Sequence, residues 1–214
     1  MPGMKEWIEN LFLHPDMLRM GHAQRAEDAN LGLGWIYYGL ARTLRPASVV
    51  VIGSWRGYVP IVLGKALADN TESGEVIFID PSLVDDFWKD ADAVKGWFNG
   101  FGLTNVRHYP LTTQQFVQTD AYRSMAPAGM VFIDGYHAIE QVEYDYASFR
   151  DKLAPGGVML FHDSRRVRPS GIYGADKVYM QGVKTFLDRL RLDKTLQLFD
   201  LPFDDGVTLL RAAG

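Results

Sequence analysis

Two histidines next to aspartates are the residues in this sequence best suited to chemistry. His137 follows Asp134 by three positions, and His162 directly precedes Asp163. An imidazole with an unperturbed pKa of about 6.5 can remove a proton near neutral pH, so either histidine is a candidate general base. Neighbours on a regular strand point to opposite faces, which predicts that His162 and Asp163 do not both face a ligand. The alternative for each histidine is a structural role, such as a hydrogen bond to a loop carbonyl.

A glycine-containing turn is the first candidate binding element. The segment Gly53, Ser54, Trp55, Arg56, Gly57 joins an apolar run to an amphipathic stretch. Glycine there would let a ligand approach the backbone, and the following helix would offer amide N–H groups at its positive end. The spacing is G-x-x-x-G and not the G-x-G-x-x-G of dinucleotide folds, so a plain tight turn is the alternative.

The candidate residues follow short β-branched runs that predict buried strands. The predicted strands are residues 48–52, 75–79, 105–109, 130–133 and 158–161. The predicted helices between them are residues 59–67, 85–99 and 139–153. This alternation predicts an α/β fold with a doubly wound, mostly parallel, Rossmann-like sheet that binds ligands beyond the carboxyl ends of its strands. At such an end, Asp80 could accept both hydroxyls of a ribose or simply cap a helix.

The two ends of the chain extend this core. Residues 1–45 predict a helical preface that could cover the site or form a contact between copies of the chain in a homo-oligomer. Residues 196–199 and 207–210 flank an acidic, glycine-containing turn, which predicts an antiparallel C-terminal hairpin. A length of 214 residues fits one domain, with residues 46–214 as its Rossmann-like core.

Composition excludes several classes of function. The chain has no cysteine, which rules out disulfides, thiolate metal sites and a cysteine nucleophile. Its 22 Lys and Arg against 26 Asp and Glu give a net charge of -4, which argues against a broad nucleic-acid surface. No apolar run approaches about 18 residues, and the first residues lack the apolar stretch of a signal peptide. We therefore expect no membrane span, a cytoplasmic location and a small-molecule substrate.

The order of these features resembles that of class I S-adenosylmethionine-dependent methyltransferases. A glycine turn follows the first strong strand, an acid follows the second, and Asp134 follows the fourth. More narrowly, three motifs look like the group that includes macrocin O-methyltransferase and cephalosporin hydroxylase-like proteins: D-G-x-H at 134–137, G-G at 156–157 and H-D at 162–163. The resemblance covers residues 45–164 and implies O-methylation of a small-molecule hydroxyl.

The resemblance also implies a set of cofactor-binding residues. They are Gly53, Ser54, Trp55, Gly57, Asp80, Thr112, Thr113 and Asp134. In the family, the glycine turn approaches the methionine part of S-adenosylmethionine, the acid after the second strand holds the ribose, and a polar residue near Thr112 and Thr113 lies by the adenine. Val51 departs from the pattern, since the family usually has an acidic residue two positions before the first glycine.

Catalysis in such enzymes needs alignment of the activated methyl group and removal of a proton from the acceptor. The resemblance implies catalytic roles for His137, His162 and Asp163. Related O-methyltransferases hold a divalent ion at positions that match Asp134 and Asp163, so Mg²⁺ is a candidate second cofactor. Catechol-type members have asparagine where this chain has Ser164.

Two other functions stay open from the residues alone. Tyr173 and Lys177 have the Tyr-x-x-x-Lys spacing of nicotinamide-dependent short-chain reductases, although Gly171 and Gly174 disfavour the helix on which that motif lies. Val51 fits a non-catalytic binding protein that kept the fold after losing turnover. A non-haem iron site of two histidines and one carboxylate is not established by spacing alone.

The arginines of residues 164–182 and the carboxylate of Asp145 could have either a functional or a structural role. The segment 164–182 contains Arg165, Arg166 and Arg168 and could be a lid or a loop that binds an anionic or polyhydroxylated substrate. A solvated basic loop is the alternative. Asp145 lies within a predicted helix and is expected to cap a loop or pair with an arginine.

Overall fold

The computed structural model describes residues 3–19, 21–70 and 73–212. Its strands are β1 (Ser48–Ile52), β2 (Glu75–Ile79), β3 (Val106–Tyr109), β4 (Ala128–Ile133), β5 (Leu153–His162), β6 (Pro169–Ser170), β7 (Tyr179–Met180), β8 (Leu196–Leu201) and β9 (Val207–Ala212). Its helices are α1 (Met4–Phe12), α2 (Gly34–Leu44), α3 (Tyr58–Ala68), α4 (Ala91–Gly100), α5 (Thr113–Phe116), α6 (Asp120–Ser124), α7 (Ile139–Phe149) and α8 (Val183–Leu190). Two short 3-10 helices cover Pro15–Leu18 and Arg150–Lys152.

Seven strands form one sheet in the order β3-β2-β1-β4-β5-β9-β8. The first five pair in parallel, whereas β9 runs antiparallel to β5 and β8 runs antiparallel to β9. The strand order reverses between β1 and β4, which is the point where the ligand crevice opens in such sheets. This architecture confirms the predicted Rossmann-like sheet and its C-terminal antiparallel hairpin.

Burial on both faces explains the continuous apolar run of β1. All of its residues are buried. Alternate side chains enter two hydrophobic clusters, with Val49 and Val51 on one side of the sheet and Val50 and Ile52 on the other. Val51, where the resemblance favours an acidic residue, pairs in register with Phe78 and is fully buried. Its side chain therefore belongs to the core.

Several predicted boundaries are wrong. Helix α7, predicted to run to residue 153, ends at Phe149. Helix α4 begins at Ala91 and not at residue 85, because the Asp90 carboxylate caps it by accepting two backbone N–H hydrogen bonds at 2.9 and 3.0 Å. Strand β5 begins at Leu153, earlier than predicted, because it pairs with Ala128 ahead of a register shift in the β4–β5 ladder.

Helices α5 and α6 lie outside the predicted elements. Thr112 forms a capping box with Gln115 at the start of α5, and this T-x-x-Q pattern is visible in the sequence. Thr119 caps α6 by accepting a hydrogen bond from the Tyr122 N–H at 3.2 Å. The start of α5 brings Thr113 to the cavity described below.

The N-terminal preface packs on the sheet as part of the same core. Tyr37 and Ala41 of α2 are fully buried in the cluster that also contains α3. Trp7 Nε1 donates to the Phe101 carbonyl oxygen at 3.0 Å. None of the helices in the described ranges is long and apolar enough to cross a membrane.

Candidate active site

A cavity of about 430 Å³ opens beyond the carboxyl ends of β1, β2, β4 and β5. Its volume falls within the range of small-molecule sites. One part of its wall, the glycine-turn half, consists of Gly53, Ser54, Trp55, Asp80, Thr112 and Thr113. The facing part, the histidine half, consists of Asp134, His137, His162 and Asp163.

Gly53 lies where the two halves meet. Only glycine fits at this turn. Its φ is 70°, and an added Cβ atom would lie 2.5 Å from both the Asp134 carbonyl oxygen and the Gly135 Cα. The Gly53 N–H donates to the Ile79 carbonyl oxygen at 2.8 Å. The turn after β1 therefore lies directly against the turn after β4.

The rest of the glycine turn is fixed by two tryptophans. Trp88 Nε1 donates to the Trp55 carbonyl oxygen at 3.0 Å, and Trp97 Nε1 donates to the Arg56 carbonyl oxygen at 3.2 Å. Gly57 is not among the described residues that line the cavity. Its φ of 82° and the Trp88 ring, 2.9 Å from an added Cβ, explain why glycine stands there.

Asp80 is fixed at the end of β2 by two backbone donors. One carboxylate oxygen accepts a hydrogen bond from the Ser54 N–H at 3.2 Å, and the other accepts one from the Ser82 N–H at 2.7 Å. Burial raises the pKa of Asp80 above its usual value, while these two hydrogen bonds oppose the rise. The carboxylate faces the cavity, where each oxygen can still accept a further hydrogen bond.

Thr112 and Thr113 also line the cavity, and Asp145 of α7 lies beside them. Asp145 is fully buried, and Gln141 Nε2 donates to its Oδ1 at 2.7 Å. Thr113 at the start of α5 also interacts with this carboxyl, so its partners are a threonine and a glutamine and not the predicted arginine. Burial raises the pKa of Asp145 to about 6, against the effects of the Thr113 and Gln141 side chains.

Two carboxylates and two imidazoles converge in the histidine half. Asp134 Oδ1 lies 2.9 Å from His162 Nδ1 and 3.5 Å from His137 Nε2. Asp163 Oδ2 lies 3.3 Å from His137 Nδ1. The structure therefore brings together the four residues that the sequence singled out at the ends of β4 and β5.

His162 and Asp163 both line the cavity, contrary to the prediction from strand alternation. Asp163 has a φ of 53°, so the regular strand ends at His162 and the next side chain turns back toward the site. A left-handed conformation costs a non-glycine residue roughly 1–2 kcal/mol. Asp163 is held there by Gln181 Nε2, which donates to Oδ2 at 2.7 Å, and by Arg168 Nη2, which donates to Oδ1 at 3.3 Å.

The close charges shift the pKa values of the whole histidine half. Burial by itself lowers the pKa of each histidine, but Asp134 and Asp163 raise the pKa of His137 and of His162 to about 9. Burial by itself raises the pKa of Asp163, yet the two imidazoles lower it to about 2. They also hold the pKa of Asp134 below its usual range despite burial. The two carboxylates thus favour the protonated form of each imidazole, unlike the ordinary histidine base that the sequence suggested.

Residues distant in sequence complete this half, and the sequence patterns did not reveal them. The Gly21 carbonyl oxygen accepts a hydrogen bond from His162 Nε2 at 3.1 Å. The His22 ring centre lies 4.4 Å from that of His162, and His22 Nδ1 is 3.0 Å from the Tyr37 hydroxyl. Burial and the nearby His162 lower the pKa of His22 to about 3, so its ring is neutral. Gly21 and His22 lie in an irregular segment without periodicity, which explains why no local signal marks them.

The segment 164–182 lies over the histidine half and forms the short β6–β7 pair. Arg168 does not extend into solvent as a free basic residue, because its Nη1 donates to Asp205 at 2.8 Å. Tyr173 lines the cavity from the turn between β6 and β7. Because this turn is not helical, Tyr173 and Lys177 do not lie on the helix that the reductase motif requires.

The donor set of the histidine half does not fit Mg²⁺. That ion requires nearly octahedral coordination by oxygen atoms. Two imidazole nitrogens lie next to Asp134 where oxygen ligands or waters would be needed. Asp163 is already bound by Gln181, and Ser164 supplies a hydroxyl where catechol-type relatives have an amide oxygen.

Known proteins similar to this chain share its fold. A family model described as a methyltransferase domain matches residues 50–164. The O-methyltransferase TomG from Streptomyces achromogenes, involved in tomaymycin synthesis and solved in complex with SAM, is 19% identical, with a TM-score of 0.64 over 100% of this chain and 91% of that chain. The SAH-bound methyltransferase PaMTH1 from Podospora anserina is 18% identical, with a TM-score of 0.65 over 100% of this chain and 89% of that chain.

A third solved structure gives the same result. The O-methyltransferase from Bacillus cereus in complex with SAH is 16% identical, with a TM-score of 0.68 over 97% of this chain and 91% of that chain. No curated protein matches the chain. At these identities the solved structures confirm the predicted fold, and the narrower macrocin-like group stays a prediction.

Proposed function

This chain belongs to the methyltransferase-domain family, and we propose that it transfers the methyl group of S-adenosylmethionine to a hydroxyl oxygen of a small molecule. In this reaction the bond between the sulfonium sulfur and the methyl carbon breaks as the new oxygen–carbon bond forms, and the hydroxyl proton leaves. The sulfonium is already activated, so the protein contributes alignment of the two partners and control of the departing proton.

The glycine-turn half carries this proposal. The backbone at Gly53 and Ser54 is open to the cavity beside the Asp80 carboxylate, which suits a ligand that combines an amino-acid part with a ribose. Asp80 would accept hydrogen bonds from the ribose hydroxyls. Thr112 and Thr113 form the adjoining wall, which would receive the adenine.

The histidine half would face the acceptor. Asp134 adjoins Gly53 and could also bind the amino group of the cofactor. His137, His162 and Asp163 form the wall where the acceptor hydroxyl would lose its proton. A protonated imidazole can donate a hydrogen bond to an oxygen that develops negative charge, but it cannot accept a proton. Only an imidazole in its neutral form could therefore take the hydroxyl proton.

We expect the acceptor to be small and partly apolar. The cavity of about 430 Å³ must hold it together with the cofactor. Leu83 and Ile172 expose apolar surface at the rim, and the Tyr136 and Tyr179 rings are 4.2 Å apart beside it. The net charge of -4 supports a small-molecule acceptor over a nucleic acid.

Calorimetric titration with S-adenosylhomocysteine tests the cofactor site. Asp80→Asn should weaken its binding roughly 10-fold or more, because a hydrogen bond to a charged group is worth about 1.5–3 kcal/mol. Asp86→Asn is the matched control, since the Asp86 side chain is 83% exposed, and it should leave the affinity unchanged. Equal affinities in both variants would remove Asp80 from the ribose site.

Two further measurements separate the alternative functions. Binding of NAD or NADP in place of the adenosyl ligands would support a reductase. Release of S-adenosylhomocysteine from S-adenosylmethionine with a panel of phenolic and sugar hydroxyls would establish turnover. Binding of the adenosyl ligand without turnover across that panel would favour a non-catalytic binding protein.

A further inference from the structure

We propose that Asp134, His137 and His162 bind a divalent transition-metal ion of the zinc class. One oxygen atom and two nitrogen atoms of these residues lie within 4.8 Å of one another. Two imidazoles and one carboxylate are typical ligands of zinc and other first-row transition ions, whereas magnesium prefers oxygen ligands alone. The mismatch between this donor set and Mg²⁺ thus points to a different ion.

Each histidine directs one nitrogen toward Asp134 without completing a hydrogen bond. These atoms are His137 Nε2 and His162 Nδ1, which are buried and have no hydrogen-bond partner in the part of the chain that the structure describes. They lie 3.5 and 2.9 Å from Asp134 Oδ1. Ligand atoms bound to one tetrahedral zinc ion at about 2.0–2.2 Å are roughly 3.4 Å apart, so both nitrogens lie at nearly the required distance from Asp134 Oδ1.

The second nitrogen of each ring is held as in metal-binding histidines. His162 Nε2 donates to the Gly21 carbonyl oxygen at 3.1 Å, and His137 Nδ1 lies 3.3 Å from Asp163 Oδ2 and 3.5 Å from Gln181 Nε2. Histidines that bind metals almost always donate their other N–H to a carbonyl or carboxylate, which fixes the tautomer and the ring orientation. Asp163, itself held by Gln181, therefore orients His137 and is not a ligand in this site.

The three ligands line the cavity, so an ion can reach them. Catalytic zinc sites also have three protein ligands and leave one coordination position for water or substrate. Imidazole binds a metal only in its neutral form, so zinc affinity should depend on pH. The link to methyl transfer rests on the proposed function, whereas metal binding itself does not.

Metal binding is measured on the whole purified protein after treatment with a chelator. Calorimetric titration should show one Zn²⁺ per chain, bound at least about 100-fold more tightly than Mg²⁺. Co²⁺ should give visible absorption bands of nitrogen and oxygen coordination, and added Zn²⁺ should abolish them. Equal affinity for Mg²⁺ and Zn²⁺, or no binding of either ion, would overturn the proposal.

Variants identify the ligands. His137→Gln and His162→Gln should each lower zinc affinity by more than roughly 100-fold, and Asp163→Asn should lower it by roughly 10–100-fold, the usual cost of losing an orienting group. His14→Gln is the matched control, because His14 packs against Trp97, outside the described lining of the cavity, and it should keep full affinity. Wild-type affinity in His162→Gln would contradict the assignment. The Co²⁺ spectrum of the unmodified protein decides the question if a variant fails to fold.

Titration of the same preparation with S-adenosylhomocysteine separates the two proposals. Zinc binding without binding of that ligand would keep the metal site and reject the proposed cofactor site. Binding of S-adenosylhomocysteine without zinc binding would keep the cofactor site and reject the metal site.

Discussion

The glycine-turn half and the histidine half hold their polar groups in different ways. In the first, the Asp80 carboxylate is fixed by the backbone N–H groups of Ser54 and Ser82 at neighbouring strand ends. In the second, the His162 ring is fixed by the Gly21 carbonyl, 141 positions away. The first half depends on turns and caps whose residue types are visible in the sequence, joined by contacts between neighbouring strand ends such as the one from Ser54 to Asp80, 26 positions apart. The second depends on charged side chains that come together only in the complete fold.

Gly53 tests how closely the two halves adjoin, and its substitution has the largest expected effect. Gly53→Ala places a Cβ atom 2.5 Å from the Asp134 carbonyl oxygen at a positive φ. It should lower the free energy of unfolding by roughly 2–5 kcal/mol, measured by urea denaturation. Gly39→Ala in α2 is the control, since nothing lies within 4 Å of its added Cβ, and it should raise stability by up to about 1 kcal/mol. A negligible effect at Gly53 would mean that the halves are separable.

Asp163 tests whether the charges of the histidine half behave as buried groups. Asp163→Asn should lower the free energy of unfolding by about 3 kcal/mol, because the side chain is only 8% exposed and its loss leaves buried positive charge without compensation. Asp200→Asn removes an acid that is 55% exposed and bound to Arg191, and it should cost less than about 1 kcal/mol. Similar losses in the two variants would show that the histidine half is solvated like the surface.

Asp145, beside Thr113, gives a prediction that depends on pH. Burial raises its native pKa to about 6, whereas the unfolded value is about 3.9, so the native state binds the proton more tightly. Its contribution to stability is therefore present at low pH and is lost as the pH rises from about 4 to about 6. Asp145→Asn should raise the free energy of unfolding by up to roughly 2–3 kcal/mol at about pH 8 and change it little at about pH 4.

The matched control for Asp145 is an exposed acid. Asp120 is 95% exposed, so Asp120→Asn should leave the pH dependence of stability unchanged. Urea denaturation of both variants at the two pH values checks this expectation. An equal effect of Asp145→Asn at both values would mean that burial does not control its titration.

Substitution of Thr112 has the smallest expected effect on stability. It tests whether this residue of the glycine-turn half is held only by contacts within its own turn. Thr112→Ala removes the hydroxyl that accepts the Gln115 N–H at 3.2 Å and should cost about 1 kcal/mol. Thr43→Ala is the control, because the exposed Thr43 only donates to the Gly39 carbonyl oxygen within α2, and it should change stability by less than about 0.5 kcal/mol. A loss well above 1 kcal/mol at Thr112 would indicate long-range support in this half too.

The sheet and the glycine-turn half could be predicted because local patterns specify them. The β-branched runs at residues 48–52 and 75–79 coincide with β1 and β2. The acidic turn before β9 predicted the antiparallel hairpin that the sheet contains. That a ligand approaches the backbone at Gly53 stays a prediction, whereas the positive φ and the nearby Asp134 carbonyl oxygen explain why the residue is glycine.

The histidine half could be predicted in its residues but not in its arrangement. The motifs marked Asp134, His137, His162 and Asp163. The positive φ of Asp163, which breaks the strand alternation, has only a weak sequence signal, because aspartate adopts it more often than most residues but still rarely. The contact with Gly21 joins segments far apart in the chain, so no local periodicity reports it.

His162 and Gly21, whose carbonyl oxygen holds the His162 ring, are far apart in the sequence. This separation sets the order in which the two halves of the cavity can form during synthesis. A growing chain emerges from its N-terminal end, so Gly53 and its partner Ile79 are both present while the later strands are still being made. His162 joins Gly21 only after 141 further residues have been added, and Gln181 reaches Asp163 later still. The part of the cavity with the most charge is therefore the last to be assembled, and a nascent chain cannot present it before its central sheet is nearly complete.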